Sequence, residues 1–219
     1  MELTLKENYT ILHIATKKGL INDGDTTFTI GLAAIVLAEL MQRKKIVLKG
    51  EYVLMKDAMH TGDAVLDFVL DQLDSSDNDY NVKAWLERLT HKETGKNLLK
   101  ALFSGMEKDD LVKYTVRRKF LIFGKEQTYQ LNNPSLKTEL EDKLRKCLLV
   151  KNTTVTENDA ILIILLDRCR LFKLFLPDAN DRRSAGKRVK ELMAIPVSGD
   201  NLLFKALQVE LKDRYTIKA

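Results

Sequence analysis

Little in this chain staples it or interrupts it. Its two cysteines, Cys147 and Cys169, lie in apolar, helix-like stretches without CxxC spacing or a neighbouring histidine. That excludes a disulfide framework and a zinc site, and it points to a reduced, cytoplasmic compartment. With 3 prolines and 10 glycines in 219 residues there is no Pro- or Gly-rich linker and no low-complexity tail, so residues 1–219 are expected to form a single domain. A membrane span needs about 20 consecutive apolar residues. The most apolar run, Ala160 to Leu166 with its continuation to Leu176, is cut by Asp167, Arg168, Arg170 and Lys173 and reads instead as a central buried helix. Met1 to Asn8 carries acids early and has no cationic head followed by an apolar run, so it does not read as a signal peptide.

Catalytic and cofactor patterns are equally sparse. The three histidines, His13, His60 and His91, fall in different segments at no metal-ligand or triad spacing. Thr94-Gly95-Lys96 imitates the end of a phosphate loop but lacks the earlier glycine and has Asn97 where a hydroxyl would hold magnesium. The aspartates between Asp57 and Asp79 lack calcium-loop spacing. The expectation is a non-enzymatic protein with no cofactor and no metal.

What is present is helix, with 45% hydrophobic residues to build a core. Apolar spacing predicts helices over Leu5 to Lys18, ending at Gly19, and over Thr27 to Arg43, with Asn22 to Asp25 as a turn between them. A hairpin comes next, Ile46-Val47-Leu48 and Tyr52-Val53-Leu54 around Lys49-Gly50-Glu51. Thr61 or Asp63 then caps a helix whose apolar face is Val65, Leu66, Val69, Leu70 and Leu73. Shorter helices are expected around Trp85 to Leu89 and Leu98 to Phe103. A second helix-plus-hairpin unit is expected over Lys108 to Leu131: a helix through Leu111 to Val116, then strands Phe120 to Phe123 and Thr128 to Leu131 about Gly124. Four helices complete the chain, at Leu136 to Val150, Glu157 to Leu176, Asp181 to Met193 and Asp200 to Tyr215. The fold class is mainly α: a single compact helical domain around a central apolar helix, with two small β-hairpins.

The net charge of +5 is modest, but the cations cluster. Lys113, Arg117, Arg118, Lys119 and Lys125 form one group with no acid between Lys113 and Lys125. Arg168, Arg170, Lys173, Arg182, Arg183, Lys187, Arg188 and Lys190 form a second, and the two would make an anion-binding surface if they met in space.

Several motifs carry a resemblance. Gly31-Leu32, Leu37-Ala38-Glu39-Leu40, the Ile46-Val47-Leu48 strand, Thr61-Gly62-Asp63 with Leu66-Asp67, Trp85, Lys113 to Leu121 and Ala185 to Leu192 resemble the Golgi phosphoprotein 3 family over nearly the whole domain. The resemblance implies a mainly helical peripheral membrane domain that binds phosphatidylinositol 4-phosphate. In Golgi members it also implies glycosyltransferase retention with coat proteins, a basic N-terminal arm for coat binding and a longer first hairpin that supports self-association; this sequence begins almost directly at its first helix, and the coat and glycosyltransferase roles are not expected of it. The family's headgroup pocket uses a tryptophan after the first helix, an arginine after the Gly-Leu of the second, and two arginines on a later helix. By that resemblance the loop Asn22 to Thr27 has no tryptophan, Ala33 stands at the first arginine, and Gly105 and Lys108 stand at the later pair. The chain therefore looks like a divergent, prokaryotic-type member.

The expected partner is an anionic membrane surface or phospholipid headgroup, met through Lys108, Lys113, Arg117 and Arg118, with the protein cytoplasmic and peripheral to the membrane. Self-association is left open. The alternative is a winged-helix-like nucleic-acid-binding protein, with Lys108 to Lys119 as its recognition helix, since Ile30 to Met41 is too apolar to read a groove.

Overall fold

Helix α1 (Leu5–His13) begins with a capping box: the Thr4 hydroxyl accepts from the Glu7 N–H, and the Glu7 carboxylate accepts from the Thr4 N–H at 2.7 Å. The computed structural model describes residues 3–14, 26–76, 79–118 and 125–194. The helix expected over Leu5 to Lys18 is corrected: it stops at His13, and its C-cap Ile14 is already extended, with ψ 115°. Residues 15–19, the Asn22 to Asp25 turn, the strand Phe120 to Phe123 with its Gly124 turn and the helix at Asp200 to Tyr215 lie outside the described residues.

Helix α2 (Thr26–Gln42) is buried at every position from Ile30 to Leu40, so it has no solvent face over that span. It is the central helix, in contact with α1, with α3 (Ala64–Asp74), with α4 (Val82–Thr90) and with α7 (Glu157–Arg168). Sequence alone points to Ala160 to Leu176 as the centre, and the structure corrects this. That helix is α7, apolar and buried from Ala160 to Leu166, but it packs on α2 as one of several neighbours. At Gly31, an added Cβ would collide with the Tyr9 hydroxyl and ring, so the glycine is what lets α1 lie against α2.

Strands β1 (Ile46–Lys49) and β2 (Tyr52–Met55) pair antiparallel from Ile46↔Met55 to Lys49↔Tyr52. Helix α5 (Lys92–Lys108) leads into a second hairpin, β3 (Val112–Arg118) with β4 (Lys125–Leu131), in register from Val112↔Leu131 to Arg118↔Lys125. Helix α6 (Ser135–Leu149), α7, a 3-10 turn at Phe172–Leu174 and α8 (Ala179–Ala194) close the described chain. The mainly helical class with two small hairpins is what the structure has.

Three helices end in the same way, without glycine. In a Schellman motif the residue after the C-cap takes a left-handed conformation, and two N–H groups turn back to the last carbonyls. Here the left-handed residues are Lys44, Asp110 and Arg170, with φ of 58°, 56° and 58°. The returning bonds run from Lys44 to Met41 and Lys45 to Leu40, from Asp110 to Glu107 and Leu111 to Met106, and from Arg170 to Asp167 and Leu171 to Leu166, all between 2.8 and 3.1 Å. Two expectations are corrected by these stops. The helix through Leu111 to Val116 is strand β3, because α5 ends at Lys108; and Glu157 to Leu176 is broken after Arg168.

A left-handed L-residue costs about 1 kcal/mol relative to glycine. Lys44 is exposed, so Lys44→Gly is expected to raise unfolding stability by about that amount, read as a higher urea midpoint at unchanged slope.

Candidate functional site

The site is assembled around one buried ammonium. Lys6, in the first turn of α1, is 3% exposed; its Nζ meets Glu39 Oε2 of α2 at 3.1 Å and Asp63 Oδ2 at 2.5 Å, while its backbone N–H donates to Glu39 Oε1 at 2.9 Å. Burial opposes the charge, and the two carboxylates outweigh it, holding the ammonium above the ordinary lysine range. Asp63 also caps α3, its carboxylate accepting from the Val65 and Leu66 N–H groups at 3.0 and 3.2 Å. Of the two candidate caps, Asp63 is the one used. Thr61 instead accepts from the Asp63 N–H through its hydroxyl at 3.1 Å.

The turn itself is held by Asp67. One of its oxygens accepts from the Thr61 N–H and hydroxyl at 2.6 and 2.7 Å, and the other accepts from the Gly62 N–H at 3.1 Å. Gly62 has φ +81°, a conformation that favours glycine. Burial pushes the Asp67 carboxyl up, but the Thr61 and Gly62 bonds prevail and hold it below the usual carboxylate range.

Beside this turn opens a cleft of about 400 Å³, walled by the first turn of α1, the Thr61 to Val65 segment and the last turn of α5. Arg43 and Lys108 bring cations to it, and Glu7, Asp63 and Asp109 bring acids; Glu7 is engaged by the Thr4 N–H, and Lys6, which lines the cleft as well, is committed to Glu39 and Asp63. Among the described residues neither Arg43 nor Lys108 is held in an ion pair. A larger cavity, about 760 Å³, lies between α6 and the start of α7. Its lining cation, Lys143, is already bound to Asp159 at 2.6 Å, and Glu139 and Glu157 make it unsuited to anions.

Of the residues expected from sequence, Lys108 lies in the cleft and is exposed. Lys113 is exposed on β3, outside the cleft. Arg117 and Arg118 are placed by strand register opposite Glu126 and Lys125; their side chains lie outside the described part. The supposed recognition helix Lys108 to Lys119 is not a helix, since Val112–Arg118 is a strand. The two basic clusters have different packing partners: β3 lies against β4 and α5, whereas α8 lies on α6 and α7. Much of the second is internally engaged, with Arg182 donating to the Leu176 and Pro177 carbonyls and Arg188 paired with Glu191.

Arg43 is the cleft residue that sequence reasoning misses. Its signal is the Arg43-Lys44-Lys45 run, which by itself reads only as the junction between helix and hairpin. The positions named by family resemblance do not all meet here. Gly105 and Lys108 line the cleft, but Ala33 is fully buried ten residues before Arg43, about 15 Å along the helix axis.

Among the described residues no group of three or more His, Cys, Asp or Glu could hold a metal ion, and no helix is long and apolar enough to cross a membrane. The family model of Golgi phosphoprotein 3 (GPP34) matches residues 5–212.

Two outcomes test this architecture. Lys6→Met leaves Glu39 buried without its counter-ion and is expected to cost about 3 kcal/mol in urea denaturation, part of it recovered by adding Glu39→Leu. For Asp67 the folded carboxyl titrates below the unfolded one, so its stabilisation is complete above about pH 4 and fades as the pH falls through the folded value. Asp67→Asn should therefore be about 1 kcal/mol less stable near neutrality, with the difference shrinking in acid.

Proposed function

The chain belongs to the Golgi phosphoprotein 3 family, and we propose that it is a non-enzymatic peripheral membrane protein holding anionic phospholipid headgroups at the Arg43–Lys108 cleft. At family level the membership is consistent with lipid binding without catalysis. The observation that carries the reading is the convergence of Arg43, from the end of α2, and Lys108, from the end of α5, on one cleft. Lys113, Arg117 and Arg118 extend the basic surface along β3. Cations near an anionic leaflet contribute about 1 kcal/mol each, enough for weak, salt-sensitive attachment.

Selectivity for phosphatidylinositol 4-phosphate is a finer matter of ligand geometry. A phosphate monoester is best gripped by a forked guanidinium with a second cation, and the cleft offers one such fork, Arg43. With Ala33 and Gly105 at the family's arginine positions, the attraction proposed here is chiefly to anionic charge. The nucleic-acid alternative loses its expected groove-reading helix, because that segment is a strand.

Flotation with phosphatidylserine, phosphatidylinositol 4-phosphate and neutral phosphatidylcholine vesicles at graded salt tests the proposal. Recovery on both anionic vesicle types that falls with salt is expected, and Arg43→Ala with Lys108→Ala should lower partitioning by about tenfold or more. Equal recovery on neutral vesicles, or a sequence-specific duplex site in a parallel titration, would overturn it.

A further inference from the structure

A further cavity, about 390 Å³ in volume, opens where α3, α4 and the start of α5 meet. It shares no lining residue with the Arg43–Lys108 cleft. Thr94 lines the one and Lys108 the other, about 21 Å apart along the axis of α5, so one small headgroup cannot fill both.

Hydrogen-bond donors reach this cavity from three sources. Trp85 forms part of its wall; it is 1% exposed, and its indole Nε1–H has no acceptor among the described residues. An indole nitrogen can only donate, and a buried donor left unbonded is costly. The Tyr80 ring meets Trp85 edge-on at 5.6 Å, which accounts for the position of the indole but not for its N–H.

Arg88, also in the wall, is the second source. Its guanidinium lies 4.7 Å from the Tyr80 ring centroid and 5.4 Å from that of Trp85, and it donates to the Tyr80 hydroxyl at 3.3 Å. Stacking therefore holds it in place, and among the described residues no carboxylate pairs with it. The third source is the N-terminus of α5. Its first returning bond runs from the Gly95 N–H to the His91 carbonyl at 2.7 Å, so the Lys92, Glu93 and Thr94 N–H groups precede the ladder. His91 stands at the N-cap and makes no capping bond through its side chain. The nearby acids are engaged: Glu87, in the wall, faces Lys83 at 4.0 Å, and Glu93 faces Lys96 at 3.3 Å.

We propose that this cavity is a second ligand site, for a small molecule bearing a carboxylate or phosphate group. The oxyanion accepts from the Trp85 indole N–H, the Arg88 guanidinium and the first turn of α5, while an apolar body lies against Leu89 and the indole ring. A helix N-terminus by itself attracts anions of every kind. The buried, unbonded indole N–H distinguishes this one, because it calls for an acceptor at a fixed place. A guanidinium held by ring stacking keeps most of its five donors, and its planar fork matches a carboxylate or phosphate. The volume suits a ligand of metabolite size.

Trp85 is the one tryptophan of the chain, so its indole gives a single resonance in a nitrogen–proton correlation spectrum. Titration with phenyl phosphate and with phenylacetate, at ionic strength fixed with sodium chloride, should move that resonance downfield and saturably. Arg88 is exposed, so Arg88→Gln should keep the urea midpoint while weakening the binding by about tenfold. Arg43→Ala with Lys108→Ala should leave the shift unchanged, which separates this site from the headgroup cleft. Calorimetry on Trp85→Phe, which keeps an aromatic ring and loses the N–H, should show a similar tenfold loss. Soluble dihexanoyl phosphatidylglycerol distinguishes the two sources of the oxyanion: saturation by it alone would assign a lipid headgroup, and saturation by the aryl probes alone a free organic acid or phosphate ester. An unmoved resonance with all three probes, a movement that stays linear in concentration, or binding equally strong in Arg88→Gln and Trp85→Phe would overturn the site.

Discussion

One buried ammonium sets the geometry on which the rest depends. Lys6 is the shared counter-ion of Glu39, the acid inside the buried stretch of α2, and of Asp63, the cap of α3. Hydrophobic burial supplies most of the driving force for packing these helices, but it is non-directional. The charge triad supplies direction, because a buried carboxylate tolerates only a narrow placement of its partner. The other end of α1 is held by a second lysine: Lys137 of α6 donates to the Leu12 and Ile14 carbonyls at 2.9 and 2.7 Å. Burial pulls that ammonium below the usual lysine range, with Glu141 opposing the shift. Helix α1 is thus clamped by one cation at each end, and its first turn becomes a fixed wall of the cleft.

The same logic explains how the cleft acquires its cations. Arg43 and Lys108 are far apart in sequence, yet each sits where a helix stops, and each stop is made by a left-handed residue one or two positions later, Lys44 and Asp110. Had α2 continued, Arg43 would lie on a helix flank and β1 would start elsewhere. Had α5 continued through Val116, the basic residues from Lys113 onward would wind around a helix instead of running along a strand. The helix ends therefore distribute charge as well as ending hydrogen-bonded ladders.

Much of the fold is legible in the chain. The apolar runs at Ile30 to Leu40 and Ala160 to Leu166, the capping residues Thr4 and Asp63, and the Gly50 turn all carry local signals that the structure uses. The errors have a common cause. Sequence patterns announce a helix end through glycine or proline, and here Lys44, Asp110 and Arg170 make the stop, so periodicity alone carries helix past the true ends of α5 and α7. The left-handed backbone at Asp110 and Arg170 is favoured by the next residue in each case: Leu111 and Leu171 are buried at the turn, a tertiary contact that composition does not announce.

For the site the division is sharper. Taken alone, the sequence determined the helical class, the two hairpins, the Thr61-Gly62-Asp63 turn and the basic character of Lys108 and Lys113, because periodicity, capping chemistry and charge are local properties. Only the tertiary structure decided which of two apolar helices is central, that Lys6 is buried between two acids, and that Arg43 and Lys108 line one cleft while Ala33 lies about 15 Å along the helix from Arg43. It also decided that Val47 and Tyr52 face outward, since strand alternation names two faces and only packing against the core tells which one is buried.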